Sequence, residues 1–319
     1  MTERRIWVAG HKGMVGSAIV RQLRQTDTTI LTVDRAEVDL LRRESVSAWL
    51  KANQPDIVIL AAAKVGGILA NDSFPADFLY QNLVIEANVI DAAHCANVDR
   101  LVFLGSSCIY PKFAPQPIDE KSLLTGPLEA TNEWYAIAKI TGIKLCQAYR
   151  KQHGRHYISV MPCNLYGPND NFDLKSSHVL PALIRKLHEA KERGAATVEV
   201  WGSGTPLREF LHVDDLARGV VFCMDHYDDD EPINCGAGTD VSIRSLAEMI
   251  AAVVGFEGQL AFDPSKPDGT PKKLMDSSRI AALGFKPTIS LPDGIASTYR
   301  WYLENCSKLA ATADTAAAG

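Results

Sequence analysis

Short apolar runs alternate along this chain with longer segments whose apolar residues recur at helical spacing. Arg4 to Ala9 (RRIWVA) reads as a strand. A helix is predicted from Met14, with Val15, Ile19 and Leu23 on one stripe. Thr29 to Val33 is a second strand run, and Asp56 to Ala62 (DIVILAA) a third, apolar enough to be buried on both faces. A long helix is predicted over Pro75 to Ala96, then strands at Arg100–Leu104 and Tyr157–Met161 around a helix that runs to about Gln152. This order predicts an α/β protein: a Rossmann-type, doubly wound parallel sheet with helices on both faces. After Pro162 the texture changes, with Gly and Pro clustered near Tyr166–Pro168, Gly202–Gly204 and Pro264–Pro271. A second, smaller α/β domain is therefore predicted to cap the sheet. Its boundaries are set at 166–211 and 239–309, against 1–165 for the large domain with a return segment near 212–238. Residues 310–319 are small and patternless, and read as a disordered tail.

Composition narrows the function classes. The 319 residues are 46% hydrophobic and 22% charged, with a net charge of −5, which disfavours a nucleic-acid or anionic-membrane surface. A local cationic pocket for a phosphorylated small molecule stays open. No apolar run has the length of a membrane span, and Met1 to Arg5 leads straight into a strand, so neither a span nor a signal peptide is expected. Seven scattered cysteines without a C-x-x-C pair suggest reduced thiols in the cytoplasm. His153 and His156 lack partners at ligand spacing, so no metal is expected.

Candidate chemistry begins at the first strand–helix junction. Gly10, His11, Lys12, Gly13, Met14, Val15 and Gly16 form G-x-x-G-x-x-G. Glycines there allow a tight turn and close backbone approach to a pyrophosphate, which meets the positive end of the following helix. An ordinary glycine-rich turn is the bland alternative, which the position disfavours. The second strand ends in Asp34 and Arg35: an acid suits the ribose hydroxyl of NAD, a cation the 2′-phosphate of NADP. Lys12 and Arg35 against one carboxylate favour NADP. Asp39 and Leu40 would sit near the adenine, although Asp39 also reads as a simple capping residue.

Farther along, Tyr135 and Lys139 lie four residues apart in a predicted helix, on one face. A nearby ammonium favours phenolate over phenol, which makes tyrosine usable as an acid or base. Ser106 follows the strand Arg100–Leu104 and so points to the crevice where open α/β sheets bind ligands.

Glycine loop, strand-end serine and Tyr-x-x-x-Lys in this order resemble the extended short-chain dehydrogenase/reductase superfamily over nearly the whole chain. A narrower set resembles the GDP-L-fucose synthase family: residues 61–68 (AAAKVGGI), 104–111 (LGSSCIYP), Thr131-Asn132-Glu133, 164–168 (NLYGP), and Trp201-Gly202-Ser203-Gly204 ahead of 208–215 (REFLHVDD). That resemblance implies C3/C5 epimerisation of GDP-4-keto-6-deoxy-D-mannose followed by NADPH-dependent reduction at C4. It implies Ser106 as carbonyl anchor, Tyr135 as proton donor, Lys139 as the group that lowers the tyrosine pKa and binds the nicotinamide ribose, and Cys108 with His178 as the epimerising acid/base pair. It adds Pro162, Asn164, Leu165 and His178 to the cofactor contacts, and Lys186, Trp201 and Arg208 as contacts to the GDP-sugar. It also implies a homodimer. The loop Lys266–Thr270 is expected to close over the substrate, and Asp214 to cap the next helix. Trp134 stands where proline is common in the family, so a local packing change is expected there. A nucleotide-sugar dehydratase would carry Asp-Glu where this chain has Ser107-Cys108. A non-catalytic dinucleotide-sensing protein on the same fold would tend to lose the tyrosine or lysine that this chain keeps.

Overall fold

The computed structural model describes residues 4–174, 176–266 and 268–316, with side chains described as far as residue 306. The first part runs β1 (Arg4–Ala9), α1 (Met14–Leu23), β2 (Thr28–Leu31), α2 (Arg43–Asn53), β3 (Ile57–Leu60), α3 (Ile68–Ser73), α4 (Pro75–Cys95), β4 (Arg100–Leu104), α5 (Glu133–His153) and β5 (His156–Pro162). The second part runs β6 (Asn164–Tyr166), α6 (Val179–Glu192), β7 (Thr197–Trp201), β8 (Leu207–His212), α7 (Val213–His226), β9 (Ile233–Cys235) and β10 (Asp240–Ser242). It ends with α8 (Ile243–Val254), β11 (Gln259–Asp263), β12 (Lys272–Lys273), α9 (Ser278–Ala282) and α10 (Leu291–Ala316).

Six strands form one sheet in the order β2-β1-β3-β4-β5-β9, every pair parallel. β3 is buried along its whole length, as its unbroken apolar run requires of a strand covered on both faces. The order reverses from leftward to rightward growth at β1/β3, and the loops after β1, β4 and β5 therefore open at one carboxyl edge. The smaller sheet has the order β10-β8-β12, with β6 also on β8, while β11 pairs with β7. Helix ends follow local chemistry. Ser242 accepts a hydrogen bond from Ser245 N at the start of α8, and Gly154 and Gly255 end α5 and α8 at φ +67° and +74°.

The apolar residues form two cores. The first includes Trp7, Leu60, Phe103 and Tyr157, and takes in Leu216, Val220 and Ile233 from α7 and β9. The second gathers Leu183, Ile184 and Leu187 of α6 with Leu246 and Ile250 of α8 and Ile295 of α10. Met275, Ile280 and Phe285 pack into the first core, although the sequence pattern assigned 239–309 to the smaller domain. Their apolar side chains fill the edge beside β9, which a linear boundary cannot anticipate. The backbone of α10 extends to Ala316, so residues 310–316 are helical rather than irregular, consistent with their alanine content. Residues 317–319 lie outside the described residues.

The residue that caps α7 also differs from expectation. His212 accepts the Asp214 N–H through Nδ1 at 3.2 Å. Asp214 instead pairs with Arg21 of α1 at 2.5 Å, and buried Asp215 accepts the N–H groups of Thr288 and Ile289. Trp134 is 41% exposed at the start of α5, so its indole is accommodated by facing outward.

Candidate active site

The glycine loop is shaped by close approaches. Gly10 has φ +90°, and a Cβ there would come 2.7 Å from the Ala62 backbone. A Cβ on Gly16 would come 2.1 Å from the Gly10 carbonyl oxygen. Gly13 caps α1 with no side-chain hydrogen bond, so the first-turn N–H groups of Met14 and Val15 face the loop mouth with the positive helix end behind them. This cradle fits a dinucleotide pyrophosphate. At the β2 edge, Asp34 is bridged by Lys12 at 2.7 Å and His11 at 3.3 Å, and the Lys12 contact holds its carboxyl below the usual range. Arg35 is exposed beside it. Asp39 accepts Leu41 N at 3.1 Å, and the Leu40 carbonyl accepts from Asn88 at 2.8 Å, so both residues are tied into the loop wall. Pro162 ends β5, and Asn164 and Leu165 begin β6, next to Phe210 and Leu211 of β8.

β4 delivers Ser106 to the same edge. Its hydroxyl interacts with both the Cys108 thiol and the Tyr135 phenol, which gathers three reactive groups at one strand end. Cys108 follows in a short 3-10 turn that Ser106 caps. Burial pushes the Cys108 thiol up, opposed by the Lys273 ammonium and the Ser106 hydroxyl, so the resting group is a thiol.

Lys139 does not act on Tyr135 as expected. Its Nζ lies 3.1 Å from Glu86 Oε1, donates to the Leu104 carbonyl at 2.9 Å, and stands 5.8 Å from the Tyr135 ring centroid. Burial, with the Glu86 carboxylate adding, raises the Tyr135 pKa well above its ordinary value. The Glu86 carboxylate offsets the lysine charge, and the resting tyrosine is a protonated donor.

His178 caps α6 by position but makes no side-chain cap bond. His178 is exposed to solvent, yet the protein atoms packed around its imidazole, together with Lys273, lower its pKa. Imidazole is therefore neutral near neutral pH. Trp201, 54% exposed, has the ammonium groups of Lys186 and Lys266 at 5.3 and 5.5 Å from its ring centroid. Arg208 donates to the Asp268 carbonyl at 3.2 Å, and Asp268 accepts Ser203 N and Oγ, tying the Lys266–Thr270 loop to this wall. Pro267 lies outside the described residues. The smaller domain thus faces the sheet edge with a cationic wall suited to a diphosphate.

Two charged residues escaped the sequence reading. Lys273 of β12 lies beside Arg208 in strand register, lines one cleft with Cys108, Glu129 and Thr270, and acts on both Cys108 and His178. Nothing in Lys272-Lys273 distinguishes it from surface lysines. Glu86 could have been found: it falls four residues after Asn82 on the buried stripe of α4, where a carboxylate is out of place.

Residues 6–236 match the NAD dependent epimerase/dehydratase family. The chain is 61% identical to a probable GDP-L-fucose synthase 1 of Oryza sativa subsp. japonica, over 94% of this chain and 92% of that protein. It is 55% identical to the GDP-L-fucose synthase of Escherichia coli (strain K12), over 96% and 98%. The structure of a GDP-L-fucose synthetase from Naegleria fowleri bound to NADP superimposes with a TM-score of 0.88 at 30% identity, covering 96% of each chain. With the glycine cradle and the Ser106–Cys108–Tyr135 group in place, this chain belongs to the NAD dependent epimerase/dehydratase family and, within it, to the GDP-L-fucose synthase family.

Proposed function

We propose that the chain converts GDP-4-keto-6-deoxy-D-mannose to GDP-L-fucose, inverting C3 and C5 and then reducing C4 with NADPH. The observation that carries this reading is the meeting of Cys108 and Tyr135 at the Ser106 hydroxyl. A plain 4-reductase needs the serine and tyrosine but not the thiol.

A C4 ketone acidifies the hydrogens on C3 and C5, because the resulting anion delocalises onto oxygen. Neutral His178 takes a carbon-bound proton, and the Cys108 thiol returns one on the opposite face. The imidazolium and thiolate then exchange protons with solvent, which resets the pair for the second carbon. Ser106 and Tyr135 hold the C4 oxygen as negative charge develops on it. Lys273 steadies the thiolate. NADPH, when bound, supplies the hydride. Tyr135 gives its hydroxyl proton to the C4 oxygen and regains one from solvent.

The first-turn N–H groups of α1 suit the dinucleotide pyrophosphate, and Lys12 and Arg35 supply cations for a 2′-phosphate. Lys139 is assigned to the nicotinamide ribose. Lys186, Trp201 and Arg208 are assigned to the GDP-sugar, supported by the cationic wall they form. The reading includes a cytoplasmic enzyme and a homodimer formed through α4 and α5, where Tyr80 is 66% exposed. Sedimentation would detect the dimer.

The test is incubation with NADPH and GDP-4-keto-6-deoxy-D-mannose in deuterated water. Cofactor oxidation with deuterium at C3 and C5 is expected. Reduction without deuterium at either carbon would leave a plain 4-reductase, and no oxidation would remove the substrate assignment.

A further inference from the structure

α4 packs along α5, and one acid–base pair is sealed between them. The side chains of Glu86 and Lys139 are 2% and 3% exposed, and Nζ stands 3.1 Å from Oε1. The contact is an ion pair without good alignment: neither Glu86 oxygen has a well-directed hydrogen-bond donor. Space for the carboxylate is made by Gly142, one turn beyond Lys139, where a Cβ would come 2.8 Å from Oε2. The ammonium is fixed from the other side by the Leu104 carbonyl at 2.9 Å and lies 4.7 Å from the Phe103 ring centroid. Leu104 is two residues before Ser106, so the pair sits directly beneath the reacting groups.

We propose that Glu86 is a positioning residue for the reduction: it holds Lys139 beneath Tyr135, and by gaining or losing its own proton it changes the field in which Tyr135 gives up its proton. This role rests on the function proposed above. A well-packed apolar residue at this place would hold α4 and α5 together at least as well as a buried charge. What a carboxyl adds is a charge that can be switched off.

The surroundings make that switch effective near neutrality. Burial raises the Glu86 pKa to about 7 against the opposing Lys139 charge. Lys139 is the charge acting on Glu86, while Tyr135 and Cys146, also on α5, sense the carboxylate. β4 offers the Phe103 ring and the Leu104 carbonyl. With Glu86 ionised, the pair is neutral overall and the tyrosinate is disfavoured. With Glu86 protonated, the Lys139 charge is uncompensated and the tyrosinate is favoured. Proton donation by Tyr135 is therefore faster on the acid side of the Glu86 titration.

Two measurements on the full chain test this. Infrared difference spectra of the protein without substrate should show two protonated carboxyls that disappear around pH 7, one belonging to Asp170 and a second that is missing in Glu86→Gln and kept in Asp170→Asn. Single-turnover NADPH oxidation in the wild type should fall on the order of three- to tenfold as pH rises through that value, and in Glu86→Gln should change less than about twofold. Glu86→Ala, which cannot hold the ammonium, should lose rate at every pH and recover part of it in Glu86→Gln. An unchanged inflection in Glu86→Gln, or an Ala variant as fast as the wild type, overturns the proposal. If the wild type does not oxidise NADPH with this substrate, the function assigned above fails, and the infrared titration still decides whether Glu86 ionises as stated.

Discussion

Gly142→Ala sets two physical effects against each other. Gly142 lies inside α5, where alanine is the better helix former by about 1 kcal/mol. Propensity alone therefore predicts a more stable protein. The added Cβ would come 2.4 Å from Cζ of Phe103, 2.9 Å from its Cε1, and 2.8 Å from Oε2 of Glu86. Neither neighbour is a loose side-chain tip. Phe103 is fully buried on β4, between β3 and β5, and Glu86 is held by Lys139. Overpacking of this kind costs roughly 1–3 kcal/mol, and two blocked neighbours put it at the upper end. The net expectation is a loss of about 1–2 kcal/mol. Because Phe103 and Glu86 both contact Lys139, reduction should also slow, on the order of tenfold to a hundredfold for a displacement near 1 Å. Urea denaturation followed by tryptophan fluorescence reads the first effect, and single-turnover NADPH oxidation the second. A variant at least as stable as the wild type, with unchanged reduction, would refute the reasoning from close packing.

Other consequences concern the chemistry and its pH range. Tyr135→Phe should lower reduction by roughly 10²–10⁴-fold while the protein stays folded, since the ring keeps its edge contact with Phe78 at 6.4 Å. A stopped-flow rate within about twofold of wild type would remove Tyr135 as the donor. Asp34→Ala frees Lys12 and His11 from the carboxylate, so the ratio of kcat/KM for NADPH over NADH should rise. Asp170 is buried, with a carboxyl pKa raised to about 7 from 3.8 and one oxygen lacking a partner. A raised acid pKa means the folded state holds the proton more tightly, so stability should be greatest on the acid side of about 4 and fall as pH rises to about 7, by up to ~4 kcal/mol. Asp170→Asn should flatten that dependence in denaturation curves measured across the interval.

Much of the architecture was legible because its causes are local. The centre of the apolar run Asp56–Ala62 is the doubly buried strand Ile57–Leu60, and Arg100–Leu104 has the bounds its pattern predicted. Gly10 and Gly16 are required by contacts within a few residues and with the adjoining strand end, so position alone revealed the turn. The smaller domain was less legible. Its strands are short, and Met275, Ile280 and Phe285 cross back to the first core through contacts that no local pattern encodes.

The same division runs through the site. Sequence determined which reactive groups exist and that the loops after β1 and β4 open at one edge, because strand polarity fixes that edge. Only the tertiary structure decided their ionisation. Spacing put Lys139 on the Tyr135 face, but α4 supplies Glu86 to absorb its charge, and burial keeps tyrosine and Cys108 protonated. Lys273 likewise comes to Cys108 from a strand more than a hundred residues away. A pKa depends on the charges and solvent around a group, and those come from whichever segments fold against it.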